Sequence, residues 1–528
     1  MKVNRFDACL AFLTWLGVAI FACHAHGDAP ATVRGTVFLD ANGNGVRDAG
    51  EKGLSGVRIT DGIGFVTTGA DGAYTIQITA DSTLPAPGTQ GVAVCWPKGT
   101  WPAGKRWFRL NDMPDLGKVD FALRQVEQKL PFLYLHVTDS HDWRASPYPH
   151  QHEVTNSVLK EAKFIVHTGD VSLGVPQHCE DILQWQGKCS MPTLAAVGNH
   201  DTDIDHGKDQ ELTRHGTFVK YLGPLRFSFE YAGIHFAFAD VIEDRKESND
   251  FTAAWLEKDF AALKPGTRVV LCYHYPNPQG SERFLKVLRD YRVEMVHAGH
   301  NHAYGRWRDF AAPMVTAFAR SSGSANLAFV DERGIHVGFF CDGCARGSHN
   351  YQHSRRCPTA WRDHVLEASI RGRYGELHSM DNVKLVGDGA ARAVSTDAAY
   401  IHAEIAPGTA KTVGVRVGSG PTRLEVSFAA GHLLVNGAAY PFVLREGDPL
   451  LKLHIFAHKD LLTVWANESF FAQTPVKFQQ AAQVRLFAAG GEATVRKLAI
   501  QEVKPDPANR ARRYTCSCAH GAILRNPE

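Results

Sequence analysis

Five apolar runs of the sequence stop at polar, ligand-type residues: "PFLYLHVTDSH", "KFIVHTGD", "TLAAVGNH", "RVVLCYH" and "EMVHAGHNH". They supply Asp139 and His141, then Asp170, then Asn199 and His200, then His274, and finally His300 and His302. The last pair, entered through Gly299, offers two imidazoles from one tight turn. A single Asp-His end is an ordinary hydrogen-bonded loop. Five in order are different, because a buried set of His and Asp without a cation carries heavy desolvation and repulsion costs. Metal ions neutralise the carboxylates and use the imidazole lone pairs. The absence of thiolate among these ligands disfavours a structural zinc site. Mixed oxygen and nitrogen ligands suit manganese, iron or zinc and do not choose between them.

Asp201 follows His200 directly and is a candidate for orienting it. Such a site needs strand ends brought to one place. Between the apolar runs lie helix-like stretches, "TAAWLEKDFAAL" and "ERFLKVLRD", with Trp255 read as core. Strands alternating with helices predict an α/β layered domain over residues 130–340, with its functional groups at the carboxyl ends of strands on one edge.

Asp-x-His, Gly-Asp, Gly-Asn-His-Asp, an isolated His and Gly-His-x-His, in that order, resemble the calcineurin-like metallophosphoesterases. The resemblance implies a four-layer α/β sandwich and two metals, which about 3.5–4 Å apart would bind phosphate oxygens and lower the pKa of a bridging water for in-line attack on phosphorus. It implies Asp139, His141 and His302 on one metal, Asn199, His274 and His300 on the other, and Asp170 bridging both. His200 would be the general acid or a phosphate contact. The chain also departs from parts of that family. In "GDVSLGV", Leu173 and Gly174 stand where many protein phosphatases carry an acid and an arginine, so the usual orienting acid for His200 and one phosphate clamp are missing. Purple acid phosphatases place a tyrosine ligand at the Leu173 position, so that branch is disfavoured too.

The whole chain of 528 residues is too long for one core and suggests about three domains. Net charge is +2, from 57 basic and 55 acidic residues, which points to no nucleic-acid partner. Residues 1–26 read as a signal peptide: Lys2 and Arg5, an apolar run from Ala8 to Phe21, and a small-residue cleavage site near Ala25. The run is shorter than the ~20 residues that span a membrane. Export to the periplasm or beyond follows from this reading, with lipid anchoring at Cys23 as its weaker variant because Phe21 spoils the lipobox. In an oxidising compartment disulfides are the default, with Cys179 and Cys189 a reasonable pair. A small metal knot from Cys341, Cys344, His349, His353 and Cys357 is the competing reading, and Cys516 and Cys518 lie in the tail.

Residues 30–123 carry alternating apolar positions and Gly/Asp/Asn turns, which predict short antiparallel strands in a β-sandwich. Its loop "DANGNGVRDAGE" has calcium-loop spacing: Asp40, Asn42, Asn44, the Val46 carbonyl, Asp48 and Glu51, with Gly45 at the sharp turn. A plain Asn-Gly turn is the alternative. This segment resembles the B repeats of bacterial surface adhesins. After a cysteine-bearing linker at 341–362, residues 363–504 show strand period two, and 505–528 form a polar tail. The stretch from "LKLHIFAHKDLLTVWAN" onward resembles the C-terminal β-sandwich of levanase and invertase glycosidases, whose catalytic acids lie in a propeller absent here. No motif supplies the carboxylate pair a glycosidase needs. Arg320, Ser321 and Ser322 are cleft candidates, and His150, His152, His206 and His215 read as surface loop residues.

The sequence therefore predicts a multidomain protein, a central α/β four-layer metallophosphoesterase sandwich flanked by two all-β sandwiches. Its expected function is that of an exported dinuclear phosphoesterase acting on phosphate mono- or diesters, small or envelope-derived. The competing function is a non-catalytic glycan-binding or adhesin-like module. No nucleic-acid-binding domain and no transmembrane helix in the mature chain are expected.

Overall fold

The computed structural model describes residues 31–79, 90–141, 155–201, 215–241, 246–276, 281–302, 305–307, 312–317, 324–341, 370–387, 389, 391–396, 398–418, 423–444, 449–458, 461–467, 469–476 and 481–505. The signal region with Cys23, the cysteines 344, 357, 516 and 518, His349 and His353, the loop histidines 150, 152 and 206, and Arg320 to Ser322 fall outside them.

The amino-terminal strands are β1 (Thr32–Leu39), β2 (Arg58–Thr60), β3 (Phe65–Thr67), β4 (Ala73–Gln77), β5 (Gly91–Cys95), β6 (Thr100–Pro102), β7 (Trp107–Arg109) and β8 (Phe121–Gln125). They form two sheets, ordered β4-β1-β8-β6 and β3-β2-β5-β7. In β4, Tyr74 and Ile76 point inward and their neighbours outward, the period a half-buried strand requires. One pair departs from the expected antiparallel pattern: β1 and β8 run parallel, Val37 opposite Phe121. Parallel neighbours need a long connection, and the strands of the second sheet lie within it.

The central strands are β9 (Phe132–Val137), β10 (Ile165–Thr168), β11 (Thr193–Ala196), β12 (Phe227–Tyr231), β13 (Ile234–Phe238), β14 (Arg268–Cys272), β15 (Met295–Ala298), β16 (Gly305–Trp307), β17 (Met314–Thr316), β18 (Ser324–Asp331) and β19 (Gly334–Cys341). The five ligand-bearing strands do not share one sheet, as a single edge would require. β9, β10 and β11 are parallel neighbours in the order β11-β10-β9-β18-β19, whereas β14 and β15 belong to β12-β13-β14-β15-β17-β16. The two sheets meet through Tyr134, Phe164, Val166 and Leu194 on one side and Phe229, Phe236, Phe238 and Val270 on the other. Tyr134 meets Phe236 edge-on at 5.4 Å between ring centroids. Helices α1 (Pro176–Lys188) and α2 (Gly216–Tyr221) pack near Val171, Ala195 and Val197. Helices α3 (Lys246–Ala261) and α4 (Glu282–Asp290) cover the outer face of the six-stranded sheet, with Trp255, Leu256, Phe284 and Leu288 against Ala237, Val269, Leu271 and Val296.

Two expectations fail here. Cys179 and Cys189 are not paired; Cys179 is buried within α1, Cys189 is its C-cap, and both are free thiols. Ten helical residues span about 15 Å, far beyond the Cα separation a disulfide tolerates. His215 is not a surface residue: it is buried where the chain enters α2, whose Phe218 and Val219 pack inward.

The carboxyl-terminal strands run from β20 (Ile370–Gly387) to β30 (Ala481–Pro505). The long strand β30 pairs with β22 (Ala398–Ala406) through Glu502 to Thr494 and with β23 (Thr412–Val417) through Ala489 to Val484. It thereby passes between the layers of a β-sandwich, whose core sets Ile401, Leu453, Ile455 and Val464 with Val413, Val415, Val426 and Leu433.

Neither flank is a loose appendage. β29 (Phe470–Pro475) pairs antiparallel with β19, so the carboxyl-terminal sheet continues the sheet of β9, β10 and β11. On the other side, Trp96 stacks on Phe229 at 4.7 Å and Trp101 lies 6.0 Å from Phe164. Arg58 reaches Asp259 of α3 at 2.7 Å, and Asp259 also pairs with His235 at 2.8 Å. Burial alone would push the Asp259 carboxyl up, but His235 and Arg58 outweigh it and hold it below the usual range. Among the described residues, no helix is long and apolar enough to cross a membrane.

Candidate metal centre

The ladder of the parallel strands ends before the ligands begin, and the turns beyond it are held by one another. The Asp139 N–H donates to the Gly169 carbonyl at 3.0 Å and the His141 N–H to the Asp170 carbonyl at 3.1 Å. The Gly299 N–H donates to the His274 carbonyl at 2.9 Å, and the His300 N–H to Asp139 Oδ2 at 3.0 Å. Asp139, His141, Asp170, His300 and His302 all have φ between 42° and 67°. That conformation costs a non-glycine residue on the order of 1–2 kcal/mol, and its concentration at one place is a mark of function. Two glycines make room. A Cβ at Gly198 would fall 2.2 Å from Asp170 Oδ1, and one at Gly299 would fall 1.9 Å from Thr138 Oγ1.

Six of the eight candidates form two overlapping groups. Asp139, His141, Asp170 and His302 place one ligand atom each within 4.8 Å of the others, and Asp170, His274 and His300 do likewise. Asp170 belongs to both groups. Asn199 Oδ1 lies 3.0 Å from His274 Nε2 and 3.0 Å from His300 Nδ1. His141 Nε2 and His302 Nε2 face each other at 3.1 Å. His274 Nδ1 donates to the Thr168 carbonyl, 2.7 Å away, which leaves Nε2 as the nitrogen facing the cluster.

Asp139, Asp170 and His274 are buried, His141, His300 and His302 are half-buried, and His200 is exposed at the rim. Asp139 Oδ1 and Asp170 Oδ2 are buried without a hydrogen-bond partner; they lie 3.1 Å from His302 Nε2 and 3.2 Å from His274 Nε2 without the alignment of a hydrogen bond. Carboxylate oxygens without hydrogen-bond partners, set among imidazole nitrogens, are the donor set of a cation-binding cluster. Burial would raise the Asp139 and Asp170 carboxyls, but positive charge on the surrounding imidazoles, His302 and His274 foremost, holds both below the usual range. His274, also opposed by burial, is lifted to about 9 by Asp170 and Asp139, while burial and His274 push His300 down to about 4. Carboxylates kept ionised and imidazoles kept close by are donors suited to divalent transition metals.

Asp201 does not orient His200. It accepts hydrogen bonds from the Val171, Ser172 and Gly198 N–H groups and from the Ser172 hydroxyl, while the His200 ring lies 4.8 Å from that of His141. Sequence reasoning also missed a layer of histidines beneath the site. His136, His167 and His297 each stand three residues before a ligand, Asp139, Asp170 and His300, a repeated spacing that was available as a signal. Their partners are Thr168 Oγ1 at 3.0 Å, Ser140 Oγ at 2.6 Å and the Tyr134 hydroxyl at 2.6 Å. The first contact joins β9 to β10, and the second ties the turn that carries Asp139 and His141 to β10.

In the amino-terminal loop, the buried Asp40 accepts from the Gly43 and Gly45 N–H groups at 2.6 and 2.7 Å, and Glu51 accepts from Ala41 and Asp48 at 2.9 and 3.0 Å. Asp48 Oδ2 accepts from both Asn42 and Asn44, and Val46 is exposed. The loop is thus closed through hydrogen bonds among its own residues.

Residues 132–304 match the family described as calcineurin-like phosphoesterase. Comparison with curated proteins finds no match. Similar solved structures include GAP50, the anchor in the inner membrane complex of Plasmodium, at 14% identity and TM-score 0.30, covering 40% of this chain and 85% of that one. A Staphylococcus aureus protein assigned as a 5′-nucleotidase follows at 12% identity and TM-score 0.28, covering 39% of this chain and 52% of that one. Exo-inulinase from Aspergillus awamori is similar at 10% identity and TM-score 0.24, covering 34% of this chain and 35% of that one. The chain thus spans about half the length of the second and a third of the third.

Proposed function

We propose that this chain, whose residues 132–304 form a calcineurin-like phosphoesterase domain, is an exported hydrolase of phosphate mono- or diesters that works with two divalent metal ions. The observation that carries the reading is the pair of buried, unpartnered oxygens Asp139 Oδ1 and Asp170 Oδ2 amid four imidazoles. Asp139, His141 and His302 would hold one ion, Asn199, His274 and His300 the other, and Asp170 would give one oxygen to each. The catalytic unit extends over 130–340 as a four-layer sandwich in this reading, with 30–123 and 363–504 as its flanking β-domains.

Two bound divalent cations would polarise a phosphoryl oxygen and acidify a water for attack on phosphorus. The chain's own residues do the rest. Thr168 fixes the tautomer of His274. The crossed backbone bonds keep Asp139 and Asp170 aimed at one point. His200, exposed beside His141, meets the substrate and protonates its leaving oxygen. The amino-terminal loop is proposed to take calcium through Asp40, Asn42, Asn44, Val46, Asp48 and Glu51.

Metal analysis of the full-length protein should give close to two transition-metal ions per chain, and chelation should abolish hydrolysis of an aryl phosphate or bis-aryl phosphate. Asp170→Asn should deplete both ions, whereas His141→Ala and His274→Ala should each deplete mainly one. Chelator-resistant turnover, or Asp170→Asn with two metals and near-native turnover, would sink the dinuclear mechanism. Glycan binding by a protein without metal or hydrolysis would favour the adhesin-like reading instead.

A further inference from the structure

Asp201 follows His200 in the chain, yet its carboxylate serves a different pair of residues. It is 1% exposed. Oδ1 accepts from the Ser172 N–H at 2.7 Å and the Ser172 hydroxyl at 3.2 Å. Oδ2 accepts from the Gly198 N–H at 2.8 Å and the Val171 N–H at 3.2 Å. Val171 and Ser172 come straight after Asp170, and Gly198 stands just before Asn199. One carboxylate therefore ties the turn carrying Asp170 to the turn carrying Asn199. The tie is needed because the β10–β11 ladder stops at Thr168 and Ala196, short of both ligands. A reciprocal bond runs back from the His200 N–H to Asp170 Oδ1 at 2.8 Å. Packing admits no slack: the Asp170 backbone nitrogen would lie 2.1 Å from a Cβ at Gly198.

We infer that Asp201 is a positioning residue that sets the separation of Asp170 from Asn199, and through it the affinity of the metal pair. This rests on the dinuclear reading above. The required chemistry is specific. All four groups around Asp201 donate, and only a carboxylate accepts at both of its oxygens. Asparagine has the same shape, but its NH2 group would face either the two N–H donors at Oδ2 or the donors at Oδ1. One side of the tie would open, and buried N–H groups would lose their acceptor.

The test uses full-length protein stripped of metal and titrated with manganese(II) and, separately, zinc(II), against a competing chelator. Metal affinity is taken per folded molecule, with kcat and KM measured on an aryl phosphate ester. Asp201→Asn should weaken metal binding by about 10–100-fold, the usual effect of removing a residue that supports ligands from behind. Its kcat should fall at limiting metal and recover in excess metal, with KM little changed. A merely structural role would lower the folded fraction and leave the affinity of folded molecules unaltered. Ser172→Ala removes only the hydroxyl and should weaken binding by about 2–10-fold; it carries the test if Asp201→Asn does not fold. Wild-type metal affinity in a folded Asp201→Asn, or in Ser172→Ala where that variant decides, overturns the inference. A wild-type protein that binds neither metal overturns the dinuclear reading itself, and the first titration separates the two failures.

Discussion

At the amino ends of the catalytic strands stand aromatic rings; at the carboxyl ends stand carboxylates and imidazoles. Phe132, Phe164 and Tyr231 close the lower end, and Trp96 and Trp101 of the amino-terminal domain pack onto it, with Trp101 6.2 Å from Tyr231 and Phe132 4.8 Å from Tyr231. All the residues there sit in one continuous core with Val94, Phe229 and Phe236. The upper end has the opposite character: five ligand candidates at positive φ and two buried oxygens without partners. The lower end gains stability from burial of aromatic area, whereas the upper end forgoes stability to hold charged groups ready for ions. The amino-terminal β-strands are thus the lower wall of the two central sheets.

The largest test of this contrast is Trp96→Ala. Trp96 is 1% exposed and stacks on Phe229, so truncation should cost about 3–5 kcal/mol. Denaturant unfolding should show the catalytic domain losing stability together with the amino-terminal one, while metal content per folded molecule stays the same. Separate unfolding of the amino-terminal domain, with the catalytic transition unmoved, would break the comparison. The same joint means that calcium binding by the Asp40 loop must be tested in the whole chain and not in the excised segment.

Next in size is His200→Ala at the upper end. An exposed imidazole supports no core, so the melting temperature and metal content should hold. kcat should fall on the order of 10²-fold, and the loss should shrink for esters with good leaving groups, which need little protonation. Equal losses for good and poor leaving groups would assign His200 to phosphate binding.

Much of the upper end could be read from the chain because its information is local. "TDSH", "TGD", "GNHD" and "GHNH" each place a ligand next to the glycine or short polar residue that its turn requires, and the apolar runs before them mark strands. What was not legible is information shared between distant segments. β9 and β14 are continuous apolar runs, the same pattern whether they share a sheet or face each other across a core, so the division into two sheets was hidden. The pattern "VAVCWPKGTW" shows a buried strand and two tryptophans but not that their partners are Phe164 and Phe229. Asp201 looked like a partner for its neighbour His200 because sequence shows adjacency, whereas its acceptors' geometry is satisfied by backbone N–H groups thirty residues away, at Val171 and Ser172. Cys179 and Cys189 looked like a closed loop because their spacing is silent about the helix between them.

The smallest expected effect lies between the two ends, where His136 and His297 stack 4.3 Å apart in the core beneath the ligands. Burial pushes His297 down to about 3 and His136 well below the ordinary histidine value, so both are neutral in the folded protein. In the unfolded chain they titrate near 6.5. Below that value the unfolded chain binds more protons than the folded one, so stability falls as pH falls. The loss begins near pH 6.5 and continues toward pH 3, at on the order of 1 kcal/mol per pH unit for each imidazole. The other strongly shifted groups, Asp201 apart, fall elsewhere. His274, raised to about 9, contributes stability that is complete below about 6.5 and fades only as pH rises through 9. The depressed carboxyls of Asp139, Asp170 and Asp259 contribute above about 4 and lose their effect only below it. Across pH 4 to 6 the buried neutral imidazoles, with the half-buried His300 and His141, also lowered, set the downward slope, and Asp201, raised to about 7 by burial and by Asp170, opposes it. His297→Gln in metal-free protein should keep a polar partner for the Tyr134 hydroxyl and remove one titrating group. Its unfolding free energy, measured by denaturant at pH 4, 5 and 6, should show a slope shallower than wild type by about 1 kcal/mol per unit. An unchanged slope would mean that His297 is already protonated in the folded core, and the dry layer between the two ends would have to be redrawn as a charged one.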